Sequence, residues 1–175
     1  MSAVNDDAMA LVQLAFQRVR AGDAPGLEAL LDQGVPPDVL NEKGDSLLML
    51  ASYHGHPGAT SLLLARGADP ALRNDRGQAP LDGVAFKGDL VVARILLAHG
   101  AAVDAASADG KTALMYAAMF DRVEIVKELL ERRADPARRD ASGASARDLA
   151  TAMGATRAAA LLTAEESARG AAAGG

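Results

Sequence analysis

Cysteine and tryptophan are absent from this 175-residue chain, and aromatic side chains make up only 3% of it: Phe16, Tyr53, Phe86, Tyr116 and Phe120. Without cysteine there can be no disulfide framework, thiol nucleophile, iron–sulfur cluster or Cys-ligated zinc site, so stability must come from packing. So few rings argue against a thick single core. The hydrophobic fraction is 50%, but alanine, with 40 residues, supplies nearly half of it. An excess of basic charge is also missing. Lys and Arg total 18 against 23 Asp and Glu, a net charge of −5, the opposite of the balance that a phosphate-binding surface needs. Nucleic acid is excluded as an expected partner. No apolar run approaches the roughly 18 residues that span a bilayer, so no membrane partner is expected. The start, Met1 to Asp7, is acidic and lacks the positive-then-apolar order of a signal peptide. A cytoplasmic location is expected, and the alanine-rich, Cys-free composition points to a bacterial source.

What is present is a period. Gly44, Gly77, Gly110 and Gly143 are spaced by 33 residues, and Gly22, Gly55, Gly88, Asp121 and Gly154 keep the same interval. A third series, Gly34, Gly67, Gly100 and Arg133, and the dipeptides Leu30-Leu31, Leu63-Leu64, Leu96-Leu97 and Leu129-Leu130 follow it in register. A period of this length marks a repeat architecture.

One copy reads as two helices and a turn. Thr112 is a candidate cap for a short helix running to Phe120, which Asp121 breaks. Val123, Ile125, Val126, Leu129 and Leu130 then form an apolar stripe at helical spacing, with Glu124, Lys127, Glu128 and Glu131 expected on the other face. This second helix ends near Arg133, where sister copies carry glycine, the residue best suited to the left-handed conformation after a helix. A polar turn over residues 134–140 leads onward. No single unit can bury its apolar face alone.

Gly44-Asp-Ser-Leu-Leu, Gly77-Gln-Ala-Pro-Leu and Gly110-Lys-Thr-Ala-Leu resemble the Gly-x-Thr-Pro-Leu-His opening of ankyrin repeats, and Gly67-Ala-Asp69 resembles their Gly-Ala-Asp closing. The resemblance covers residues 8–166 and implies an all-α ankyrin solenoid of stacked helix-turn-helix units with extended turns. On this reading residues 1–7 are a flexible N-terminus, 8–40 an N-terminal cap, 41–73, 74–106 and 107–139 full repeats, and 140–166 a C-terminal cap. The tail, 167–175, is expected to be disordered.

Departures from the pattern are local. Met49, Asp82, Met115 and Asp148 replace the opening His, and only Pro80 preserves the Pro, so the helix starts are expected to be less rigid. Arg133 replaces glycine at a cost of about 1–2 kcal/mol. Arg147 occupies a Leu position in the last unit, as suits a solvated cap.

Three motifs suggest other chemistry. Gly44-Asp45-Ser46-Leu47 is similar to the signature of Gly-Asp-Ser-Leu hydrolases, whose serine needs a histidine base near the C-terminus. The last histidine here is His99, and the period already accounts for the tetrapeptide. His54-Gly-His56 has the look of a metal chelate but lacks a third ligand at a suitable position, so a structural role for His56 is favoured. Arg132-Arg133 and Arg138-Arg139 sit among acidic residues and read as a solvated mixed-charge surface. There is no Gly-rich phosphate loop, and no cofactor or metal is expected.

The resemblance also places a binding surface. In the family, the residues ending each first helix face a concave groove, which partners contact together with the turn tips. By register these are Tyr53-His54, Phe86-Lys87, Met119-Phe120 and Ala152-Met153, so the pairs hold three of the five aromatics. Aromatic residues are enriched among binding hot spots. The alternative is that the rings only cover the groove floor. The expected function is a non-enzymatic protein-binding module with Tyr53, Phe86, Met119 and Phe120 as anchors. His54, Lys87, Asp45, Gln78 and Lys111 would add polar specificity, with Glu42, Lys43, Asp75, Arg76 and Asp109 at the turn tips. A monomer is expected. Self-association through the groove, and hydrolysis at Ser46, are the alternatives.

Overall fold

The computed structural model describes the backbone of residues 2–173 and the side chains of residues 7–172. Ten helices are present among them: α1 (Ser2–Ala21), α2 (Ala24–Asp32), α3 (Leu47–Tyr53), α4 (Pro57–Ala65), α5 (Pro80–Lys87), α6 (Leu90–Ala98), α7 (Ala113–Met119), α8 (Val123–Glu131), α9 (Ala146–Ala152) and α10 (Thr156–Ala173). The architecture is all-α. Among the described residues, extended pairing is confined to two isolated bridges, Leu40 with Ser46 and Ala106 with Thr112.

Each helix packs on its counterpart one unit later: α1 on α3, α3 on α5, α5 on α7 and α7 on α9 form one row, while α2, α4, α6, α8 and α10 form the second. The core lies between the rows. Leu30, Leu63, Leu96 and Leu129, equivalent in the period, are all buried in it, and Ala51, Ala85, Ala117, Ala118 and Ala150 are buried on the first-row helices. Small residues let short helices approach closely, which is why a chain so rich in alanine can close this core without large rings.

The helix starts follow from side chains at fixed register. Ser46 Oγ accepts from Met49 N at 3.1 Å and Thr112 Oγ1 from Met115 N at 3.4 Å. Ser145 and Asp148 cap reciprocally. The N-cap of α5, Ala79, has no side-chain acceptor, and only the reciprocal half of the capping pair forms there, Asp82 Oδ2 accepting the Ala79 N–H at 2.9 Å.

The turns use a second repeated device. Asn41 Oδ1 accepts from Lys43 N and Asp45 N, Asn74 Oδ1 from Arg76 N and Gln78 N, and Asp140 Oδ1 from Ser142 N and Ala144 N. Adjacent turns are stitched by Asp75 N donating to Lys43 O at 3.2 Å and Ala141 N to Asp109 O at 3.0 Å. Gly77, with φ at +70°, sits against this seam: a Cβ there would lie 2.8 Å from the backbone N of Ala108. Both the φ and the close approach demand glycine.

Gly67 and Gly100 also have positive φ, yet a Cβ on either would meet nothing within 4 Å. That open space explains how Arg133 can hold the equivalent position at φ +66°. Its cost is conformational rather than steric.

Three expectations are corrected. The tail expected to be disordered from 167 is helical to Ala173, because α10 contains no proline and is rich in alanine, the strongest helix former. Arg169 pairs with Glu165 at 2.7 Å, and Arg147 of α9 reaches Glu166 at 2.8 Å. Gly174 and Gly175 lie outside the described residues. The segment expected to be flexible over 1–7 is helical from Ser2, and Met1 lies outside the described residues. Glu128, assigned to the solvent face of its helix, is buried between Arg94 at 2.7 Å and Arg132 at 3.1 Å. Two guanidinium partners compensate for its burial and hold its carboxyl below the usual range, the Arg94 hydrogen bond foremost.

Candidate functional site

The ends of α3, α5 and α7 bring Tyr53, Phe86 and Phe120 into one ladder of rings. Tyr53 and Phe86 lie nearly parallel, 9° apart with centroids at 6.5 Å, and Phe86 and Phe120 form an edge-to-face pair with centroids at 4.5 Å and an interplanar angle of 76°. Edge-on and offset pairs are the arrangements that aromatic quadrupoles favour. Tyr53 keeps 37% of its surface exposed, while Phe86, Met119 and Phe120 are half-buried. The ladder therefore packs across neighbouring helix ends and also presents apolar surface. Gly83 makes room for it, since a Cβ there would lie 3.2 Å from Tyr53 Cδ2.

Polar residues surround the ladder. Lys87 Nζ stands 5.1 Å over the Tyr53 ring, and His54 meets that ring edge-on at 5.7 Å. Burial lowers the His54 pKa first, and the nearby His56, Arg20 and Lys87 lower it further. A hollow of about 340 Å³ opens between α3, α5 and the turns, lined by Tyr53, Phe86, Asp45, Arg76, Gln78 and Asp82, among others.

The turn-side residues differ in how free they are. Glu42, Lys43, Asp75 and Arg76 are exposed. Asp45 accepts from Asn74 Nδ2 at 3.0 Å, so it ties two turns together while facing the hollow. Gln78 Nε2 donates to Tyr116 Oη at 3.4 Å. Lys111 is committed elsewhere: its ammonium lies between Asp109 at 2.6 Å and Asp140 at 3.4 Å. That hydrogen bond raises Lys111 and lowers Asp109 from their ordinary pKa values.

Helix pairs repeating at a constant interval, stitched by equivalent turns, are the geometry that a sequence comparison can test. The family model described as ankyrin repeats (3 copies) matches residues 15–106, 48–140 and 84–169. The chain belongs to the ankyrin-repeat family. An ankyrin repeat protein of Pseudomonas aeruginosa is 55% identical over 51 residues, a match covering 29% of this chain and 30% of that relative. The alignment thus reaches less than a third of the bacterial relative's length.

In this ankyrin chain the residues of the alternative motifs have structural partners. Ser46 is buried and caps α3. His56 Nε2 lies 3.0 Å from the carbonyl of Arg20 in the preceding unit, and its ring occupies the space where a Cβ on Gly22 would go. Among the described residues, no group of three or more His, Asp or Glu is placed to hold a metal ion. None of the helices among them is long and apolar enough to cross a membrane.

Two residues beside the candidate site were not singled out from the sequence. Asp82 lines the hollow at 2% exposure, and burial pushes its carboxyl up to about 6 against the opposing Ala79 hydrogen bond. Its replacement of an expected histidine was the available signal. Arg122 donates from Nε to Phe86 O at 3.0 Å, a role with no sequence signal apart from register, since His56 does the same for Arg20.

Proposed function

We propose that this ankyrin chain is a non-enzymatic, cytoplasmic module that acts as a monomer and binds a partner protein through the groove and turn tips. The observation that carries the reading is the ring ladder from Tyr53 through Phe86 to Phe120, partly exposed beside a hollow of about 340 Å³. Such rings lose few side-chain rotamers on binding while covering a large apolar area. Tyr53, Phe86, Met119 and Phe120 serve as anchors, and the free polar groups His54, Lys87, Glu42, Lys43, Asp75 and Arg76 orient the partner. Asp45, Gln78, Lys111 and Asp109 act from positions already fixed by hydrogen bonds, so they are preorganised rather than ordered on binding.

Affinity capture from the native cell tests the reading. A protein retained by the native chain should be lost when Tyr53→Ala is combined with Phe86→Ala, with helical circular dichroism retained. Equal retention by that variant places the interface elsewhere.

A further inference from the structure

Ion pairing is uneven along this chain: Lys43, Arg73, Arg76, Arg133 and Arg138 on the turns join no ion pair among the described residues, and the helix-borne cations differ by row. On the second-row helices and the C-terminal cap they are paired: Arg66 with Glu28 and Asp32, Arg94 and Arg132 with Glu128, Lys127 with Glu124, and Arg169 with Glu165. Along the edge where the first-row helices end, Arg20, Lys87 and Arg122 join no ion pair among the described residues. In a chain with net charge −5, a shortage of carboxylates does not explain this. The carboxylates on that edge are committed: Asp23 to Arg18 and the Gly26 N–H, Asp89 to the Val92 N–H, and Asp121 to Arg157 and the Ala158 N–H.

We propose that the partner segment is acidic, with its carboxylates lying along Arg20, Lys87 and Arg122 and an apolar side chain seated beside Tyr53. This rests on the groove reading above and specifies the partner's chemistry. Space for it exists next to the ladder: a notch of about 590 Å³ is walled by Tyr53, His54, Lys87 and Asp89, whose carboxylate is held by the Val92 N–H, and edged by Val91, which is 61% exposed. Lys87, over the Tyr53 ring, places charge and apolar surface within one side chain's reach. His54 contributes a ring nitrogen, its pKa lowered first by burial and then by His56, Arg20 and Lys87.

A nucleic acid fits less well. Its continuous phosphates would also meet the opposite lip, where exposed Glu42 and Asp75 stand beside Lys43 and Arg76 and leave no cationic excess, whereas a peptide can place its carboxylates on one edge only. A second copy of the chain carries the same net charge of −5, and its exposed Glu42 and Asp75 alternate with Lys43 and Arg76 rather than forming an acidic segment.

Panning a phage library of random dodecapeptides on the full chain tests this. The expected consensus carries several Asp or Glu and a Leu, Phe or Tyr. The synthetic consensus peptide should bind Lys87→Glu at least tenfold more weakly, with helical signal and melting unchanged, and should weaken as salt rises from about 0.1 to 0.5 M. A neutral or basic consensus, no enrichment, or equal binding by Lys87→Glu overturns the proposal. So does a single-stranded oligonucleotide that displaces the peptide at equal concentration, or a dimer of the chain that excludes it. A neutral consensus lost with Tyr53→Ala would still leave the groove reading standing, whereas a consensus indifferent to both Tyr53→Ala and Lys87→Glu would remove both.

Discussion

The Phe86 and Phe120 rings meet edge-to-face with centroids 4.5 Å apart across the boundary between two repeats, so one contact both joins neighbouring units and leaves part of each ring at the surface. These two duties can be separated by substitution. Phe120→Ala should cost about 1–3 kcal/mol, from lost packing and a lost aromatic pair. Tyr53→Ala, more exposed, should cost under about 1 kcal/mol. Urea unfolding measures both, and a Tyr53 variant as destabilised as the Phe120 variant would assign Tyr53 to the core.

Leu96 is fully buried between α6 and its neighbours in the middle of the stack. Leu96→Ala should cost about 2–5 kcal/mol, and the loss should spread because repeats are stabilised by the units beside them. Guanidinium unfolding followed by helical signal gives the value. A loss below about 0.5 kcal/mol, the usual scale of surface substitutions, would contradict the stacking described above.

Glycine positions with similar φ should respond differently to the same substitution. Gly77→Ala meets both a positive φ and the Ala108 backbone, whereas Gly100→Ala meets only the φ. The first should therefore be the more destabilising. At the third such helix end the logic reverses, and Arg133→Gly should stabilise by about 1 kcal/mol. Thermal melts of the three variants rank them, and equal melting of the two alanine variants would show that the turn seam does not constrain Gly77.

Much of this was legible in the sequence, and the limits are instructive. The interval between Gly44, Gly77 and Gly110 is visible because both φ and the next turn exclude other residues, so the backbone leaves a mark at every repeat. The same register put Tyr53-His54 and Phe86-Lys87 at the ends of first-row helices, where the rings of Tyr53 and Phe86 stack. Asp82 did not, because its significance lies in burial at 2% exposure, which depends on how two repeats close over it. Glu128 was assigned to solvent because helical periodicity does not see Arg94 one repeat earlier. The helical tail was missed because alanine and glycine at a terminus read as featureless, although alanine favours helix wherever the chain is already helical.

Asp82 makes stability depend on pH. Its folded pKa, raised to about 6, favours the protonated form in the folded state. The favourable contribution is therefore complete below the ordinary carboxylate range and lost as pH rises to about 6. Asp82→Asn removes this titration while keeping an oxygen for the Ala79 N–H. Relative to the native chain, the variant should gain about 2–3 kcal/mol between pH ~4 and ~7. Urea unfolding at the two pH values measures it, and a pH-independent difference would show that Asp82 titrates normally.

The groove is the central claim, and its most direct test is the affinity of a panned peptide for two variants of opposite location. Tyr53→Ala, in the ladder, should weaken binding at least tenfold, whereas Lys127→Ala, on the exposed surface of α8, should leave it unchanged. Full affinity in the Tyr53 variant, with loss in the Lys127 variant, would place the binding surface on the second-row helices and contradict the account.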